Sequence, residues 1–411
     1  MTARPLVTEA RLPDRRIVVP ALGITQILAW GSTFYLPAVL APFIAKDTGW
    51  SYEMIIGGVS AGLLVAGLAS PRVGHLIVRR GGRPVLVGGA LLLAGGLLGI
   101  GFAPSFPWYL AGWLVIGLGM SAGLYDAAFS TLGTIYGSQS RSAITSLTLF
   151  GGFASTVCWP LSAFLAEQLG WRGACFIYAA IQVVIALPIY VLALPSQSRA
   201  VEADVTAKGG AKVRLLCSEY PVFALLAVVL TIGAAILSVM GTHLLLILIA
   251  RGLDVSVAVG LGAIVGPSQV GARVIEMLAG SRYHPMWTMV ASAVLVAIAA
   301  FMLVGGFPII AIAIGLYGAG NGIGSIARGT VPLALFGPKR YPVLMGRLAL
   351  PLLVAMAISP FIGGLIFQRG GPDSVLALLT AIALANVVLV GALGVLTWRH
   401  VRDPDFDDIP R

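Results

Sequence analysis

Charge is what this chain has least of. Only 10% of its 411 residues are charged while 58% are hydrophobic, whereas a soluble domain carries about 25% charged residues. Cysteine is also scarce: Cys158, Cys175 and Cys217 are odd in number and lack CxxC spacing, so no disulfide framework follows. The four histidines form no HExxH, and neither a P-loop nor a G-x-S-x-G is present. That leaves no residue set for hydrolysis, phosphoryl transfer, a metal or an organic cofactor, and the chain does not read as an enzyme. No cytosolic stretch is long enough for a nucleotide-binding domain. The opening residues, MTARPLVTEARLPDRR, have neither an apolar signal core nor a cleavage site, and read as a cytosolic tail.

What is present is hydrophobic length. Twelve stretches reach the roughly 20 residues needed to cross a bilayer. They are expected near 19–44, 52–78, 84–104, 107–136, 143–166, 173–194, 221–249, 257–278, 286–305, 307–335, 347–367 and 375–398. They are too long and too evenly apolar for barrel strands, and in lipid the backbone must then bond within each segment as a helix. The fold class is an all-α membrane protein of twelve transmembrane helices.

The net charge of +10 does not indicate nucleic acid, because a phosphate-binding patch of clustered bases with interleaved aromatics is missing. With the N-terminus inside, 21 of the 26 Lys and Arg lie at cytoplasmic positions. Lys46, Arg172, Arg251 and Arg369 fall outside, and Arg328 lies within a span. This asymmetry orients the chain as a multi-pass protein with both termini cytoplasmic.

Residues 195–220 contain the longest polar stretch apart from the tails and read as a linker. They divide the chain into a tail (1–18), a six-helix bundle (19–194), the linker, a second bundle (221–398) and a tail (399–411). The halves echo one another. IGLGMSAGLYDAAFSTLGTIYG, from Ile116, aligns with IGLYGAGNGIGSIARGTVPLALFG, from Ile314, at an offset of 198 to 200; SPRVG (70–74) aligns with PSQVG (267–271). A duplicated six-helix unit is the pattern of many secondary transporters.

Two stretches extend this likeness. GHLIVRRGGRPVL (74–86) resembles the G-x-L-a-D-R-x-G-R-R loop of the major facilitator superfamily, with Val78 where the acid usually stands, and LGWRGACF (169–176) resembles its entry to the sixth helix. The span TGWSYEMIIGGVSAGLLVAGLASPRVGHLI is similar to the monocarboxylate and oxalate/formate branch. The resemblance implies two pseudo-symmetric six-helix bundles whose first, fourth, seventh and tenth helices line a central cavity. It also implies gate charges at Arg79, Arg80 and Arg83. The fifth helix lacks the G-P-x-x-G-G element of the efflux branch, which counts against a drug/proton antiporter.

The intramembrane charges are the functional candidates. Asp126, in GLYDAAF beside Tyr125, lies about 15 Å from the cytoplasmic end of its span, and Arg328 lies about 12 Å deep in the tenth. Opposite charges at similar depth in equivalent helices invite pairing. Arg328 either touches substrate or a coupling carboxylate, or is a permanent strut, or snorkels outward; Asp126 is either a proton-coupling group or a structural partner. Tyr317, Asn321, Gly324 and Arg328 share one helical face, as do Gln26, Trp30, Thr33 and Pro37 with Tyr35 nearby. These suit a carboxylate or amphipathic ligand, although aromatic stripes also serve as packing. His243 is a proton-switch candidate or a histidine bonded to a neighbouring helix. Arg273 and Glu276, at i and i+3, are expected to neutralise each other near the cytoplasmic end. The expected function is proton-coupled transport of a small organic solute, favouring a carboxylate, by a monomer in the bilayer. Efflux of drug-like or metalloid solutes and a non-transporting receptor are the alternatives.

Overall fold

A computed structural model describes residues 13–196, 215–279, 282–306 and 309–401. Among them every regular element is a helix. The linker core (197–214) and most of both tails lie outside the described residues. The helices are α1 (Arg15–Gly31), α2 (Leu36–Thr48), α3 (Tyr52–Arg80), α4 (Gly82–Gly101), α5 (Phe106–Gly123), α6 (Tyr125–Tyr136), α7 (Ser140–Gly152), α8 (Ala154–Ile181) and α9 (Leu187–Ala193). After the linker come α10 (Tyr220–Ala250), α11 (Val255–Ala263), α12 (Val265–Ala279), α13 (Pro285–Val304), α14 (Ile310–Phe336) and α15 (Tyr341–Val401).

Two of these are hairpins. Gly170 in α8 and Gly371 in α15 both have φ of 72°, a conformation glycine adopts without strain and other residues avoid. Ser162 Oγ and the Tyr178 hydroxyl lie 2.7 Å apart, whereas sixteen residues of one straight helix would span about 24 Å. The chain therefore turns back at Gly170. Divided at these glycines, and with the broken helices joined, the described residues form twelve segments of membrane-spanning length, close to the expected ones.

Several expected spans are discontinuous. The first breaks at Ser32–Tyr35, where the Thr33 hydroxyl bonds the Ala29 carbonyl at 2.7 Å and Pro37 has no N–H to give. The shared face expected from Gln26 to Pro37 is interrupted there. The fourth breaks at Leu124, whose backbone is extended, the fifth at Phe153 and the eighth at Ile264. A π-helical turn, Gln182–Ala186, interrupts the sixth, and Gln182 Nε2 donates to Ser32 Oγ at 2.9 Å, tying this bulge to the break in the first.

Packing in lipid gains nothing from burying oil in oil, so it depends on close fit. Side chains placed at Gly74 or Gly346 would run into the Pro342 and Ser70 carbonyls, because α3 of the first half and α15 of the second touch backbone to backbone. One apolar cluster crosses both halves here and includes Phe129, Ile144, Val331 and Tyr341. Two further clusters are largely confined to one half each. The halves are joined at the face carrying the described chain ends. Towards the other face the packing of the second half is sparser, and in α11 only Ala258 is buried.

Candidate functional site

The break at Leu124 makes Asp126 the second residue of α6, so its carboxylate sits at a helix N-terminus, where the peptide dipoles favour negative charge. Arg328 reaches it from α14 in the other half: Nη2 donates to Oδ1 at 2.7 Å and to Oδ2 at 2.5 Å. Both side chains are largely buried, 16% and 13% exposed.

Aromatic rings flank the pair. Tyr125 stacks on Phe129 with centroids 5.0 Å apart, and its other neighbour is Trp30 at 5.1 Å. Trp30 also meets Tyr35 at 6.3 Å, and Tyr35 meets Trp159 at 6.1 Å. Gln26 Nε2 donates to the Gly123 carbonyl at 2.7 Å, bracing the end of α5 just before the break. The Tyr317 ring packs among Met240, Val296 and Leu376 of its own half, and its buried hydroxyl has no partner. Asn321 is half-buried on the same helix. Six buried side-chain polar atoms among the described residues lack a hydrogen-bond partner. Four of them belong to this set: Gln26 Oε1, Trp30 Nε1, Tyr317 OH and Arg328 Nε.

Other expectations are corrected. Arg273 and Glu276 do not face each other. Arg273 donates to the Thr148 carbonyl of the first half at 2.8 Å and to the Gly322 carbonyl at 3.1 Å. Glu276 accepts from the Tyr283 hydroxyl and from Thr288 Oγ1 at 2.7 Å. The i, i+3 spacing allowed a local pair, but carbonyls on two neighbouring helices take the guanidinium instead. His243 bonds its own helix, Nδ1 to the Val239 carbonyl at 3.3 Å, and packs on Gly363 and Gly364. It belongs to helix packing within the second half and not to the ring cluster. Arg79 and Arg80 are exposed and Arg83 half-buried, with no partner among the described residues. Val78 leaves that loop without the acid an ion-pair gate would need. In α14, Gly324 packs on Ser292.

The seal at the chain-end face uses residues without a local sequence signal. Arg141 Nη1 of α7 donates to the Tyr283 carbonyl in the other half at 2.7 Å, and the Tyr283 side chain is held by Glu276. Each half also has a clasp at its far end, with reversed polarity. Asp47 binds Arg172 and Trp171 Nε1 at 2.9 Å, and Arg251 Nε binds Asp373 at 3.0 Å. Arg172 and Arg251 reach the carbonyls of Ala103 and Leu303, at the ends of equivalent helices. No single residue predicts these clasps; comparing the repeats would.

Chemically, the site is a buried guanidinium already charge-paired but with donors to spare, a second buried guanidinium on carbonyls, and aromatic walls. Residues 22–275 match the sequence model of the Major Facilitator Superfamily, and the chain belongs to that family. Over nearly its full length it is similar to the Transcription regulatory protein OpdE of Pseudomonas aeruginosa, with 26% identity over 97% of this chain and 98% of that one. A shorter stretch is similar to mouse Monocarboxylate transporter 11, with 35% identity over 33% of this chain and 29% of that protein. In fold it is similar to the human organic anion transporter MFSD10, with a TM-score of 0.71 and 15% identity over 92% of this chain and 100% of that one. It is also similar to FucP in the outward conformation, with a TM-score of 0.69 and 13% identity over 92% and 99%.

Two outcomes follow. Removing one partner of a buried pair leaves the other charge uncompensated, at about 3–5 kcal/mol. Asp126→Asn should lower the melting temperature in detergent, and adding Arg328→Met should restore most of the loss; independent, additive losses would contradict the pairing. At the chain-end loop, burial and then the charge of Arg141 hold the His284 imidazole below its usual range, and its ring accepts the Met286 N–H at 3.2 Å as the cap of α13. This neutral ring stabilises fully above the unfolded value of about 6.5, and that stability is lost as pH falls through the depressed folded value. His284→Asn, which can still cap, should therefore lose less melting temperature on acidification than the unmodified protein; equal losses would contradict this.

Proposed function

We propose that the protein is a secondary active transporter moving a small organic carboxylate with protons. It does so by alternating access across a bacterial inner membrane, with both termini cytoplasmic and the chain acting as a monomer. The observation carrying this reading is the Asp126–Arg328 ion pair, which joins the two halves with guanidinium donors left over. Among the charged side chains bonded in this site, Arg141, Arg273 and Arg328 outnumber Asp126 and Glu276 by one, an excess that attracts anions. Similarity to a monocarboxylate transporter over part of the chain, and in fold to an organic anion transporter, supports the same substrate class.

In this mechanism the carboxylate enters between the halves and competes with Asp126 for Arg328. As its partner is drawn away, Asp126 in its low-dielectric surroundings takes up a proton, because the charged form is no longer compensated. Neutralising the inter-half pair removes one bond holding the chain-end face shut, and the halves rock about the occupied midplane. The Thr148–Arg273 and Arg141–Tyr283 bonds must also open. Tyr317, Asn321, Tyr125, Gln26, Trp30 and Tyr35 contribute the remaining contacts.

A second reading has its own support. The relative aligned along nearly the whole chain is named for transcription regulation, so the same site could sense a solute without moving it. Drug or metalloid efflux has no comparable support.

Reconstitution into liposomes separates these readings. Carboxylate uptake driven by an inward proton gradient is expected, lost in Arg328→Ala and no longer pH-driven in Asp126→Asn. Full proton-driven uptake by Asp126→Asn would contradict the coupling role. Ligand binding without flux across a broad solute panel would favour the sensor.

A further inference from the structure

The four unpaired atoms of this residue set have definite hydrogen-bonding character. Gln26 is fully buried and gives its Nε2 to the Gly123 carbonyl. That bond fixes the amide orientation, since two carbonyl oxygens cannot bond each other. Its Oε1 is therefore an acceptor without a donor. Trp30 Nε1 and Arg328 Nε are donors without acceptors, and the Tyr317 hydroxyl, on a side chain only 5% exposed, can play either part. The one-turn spacing of Gln26 and Trp30 puts both on the same side of α1, and Trp30 touches Tyr125, the neighbour of Asp126.

The rings differ in how their faces are used. Tyr125 and Phe129 lie nearly parallel, at 8°, so one Tyr125 face is taken. The contacts of Trp30 with Phe34, and of Tyr35 with Trp159, are edge-on, at 77° and 86°. Trp30 meets Tyr35 and Tyr125 at tilts of 46° and 52°. No aromatic ring stacks face-on against Trp30 or Tyr35 in these contacts, and a flat π-system is the body that would do so.

We infer that, given the carboxylate reading on which this rests, the solute is a planar aromatic carboxylate that also carries a hydroxyl or amino donor. The carboxylate oxygens accept from Arg328 and Trp30, the ring lies against Trp30 and Tyr35, and the second group donates to Gln26 Oε1. A solute without that donor leaves a buried amide oxygen unpaired, a defect that binding sites discriminate against strongly.

The test measures equilibrium binding to the purified full-length protein, at one pH where all acids are ionised. The probes are 4-hydroxybenzoate, benzoate, cyclohexanecarboxylate and lactate. The expected order is 4-hydroxybenzoate about tenfold tighter than benzoate, an unsatisfied-group penalty expressed as affinity, and benzoate tighter than the two non-aromatic acids. Gln26→Met should bring the first ratio close to one; the ranking on the unmodified protein stands even if that variant does not fold. Equal binding of the two benzoates would overturn the donor requirement. Lactate or cyclohexanecarboxylate binding as tightly as both benzoates would overturn the whole inference and leave the carboxylate reading intact. Binding of sugars or cations with no carboxylate binding would overturn both.

Discussion

A carboxylate and a guanidinium in the middle of a bilayer each cost about 3 kcal/mol on insertion scales. Their attraction at an effective dielectric near 20 is about 4 kcal/mol at 4 Å separation. Asp126 and Arg328 are therefore tolerable together and expensive apart. Because one belongs to each half, the cost of separation would fall on any motion that separates the halves. Anything that replaces one partner, a proton on the aspartate or an anion on the arginine, lowers that cost. This is the constraint from which the proposed coupling follows.

The rest of the molecule is arranged around that constraint. The helix breaks at Leu124 and at Ser32–Tyr35 lie beside the pair and the aromatic walls, and freed backbone groups are tolerated at that depth only where protein or a cavity satisfies them. Gln26 and Gln182 brace the two breaks by bonding Gly123 and Ser32. Arg273 and the Arg141–Tyr283 bond seal the chain-end face between halves, while the two clasps at Asp47 and Asp373 hold each half together at its far end. Bonds within a half and bonds between halves are thus spatially separated, which suits halves that move as units.

The twelve spans were legible because hydropathy depends only on composition, and composition is dictated by lipid. The Asp126–Arg328 pairing was legible for a different reason: an internal offset of 198 to 200 residues put a charge in each half at matching depth, and the bonded residues are 202 apart. The breaks at Leu124, Phe153 and Ile264 were not legible, since hydropathy carries no information about backbone angles. The Arg273–Glu276 pairing failed because local spacing says nothing of the Thr148 and Gly322 carbonyls that other helices bring closer. His243 has an intrinsic pKa suited to switching, but its position is set by a glycine pair 120 residues away in α15. Arg79, Arg80 and Arg83 followed a family pattern whose acidic partner is Val78 in this chain. Sequence reading succeeded where one residue type answers to the solvent and missed where position depends on a distant backbone.

The claim that a solute anion displaces Asp126 from Arg328 can be watched at the aspartate itself. Infrared difference spectra of the protein in lipid, recorded on adding an ionised carboxylate, report whether a carboxyl becomes protonated. The account predicts a new protonated-carboxyl band that is absent in Asp126→Asn and in Arg328→Ala. A spectrum in which carboxylate binding leaves Asp126 ionised, or in which the band persists in Asp126→Asn, would contradict it.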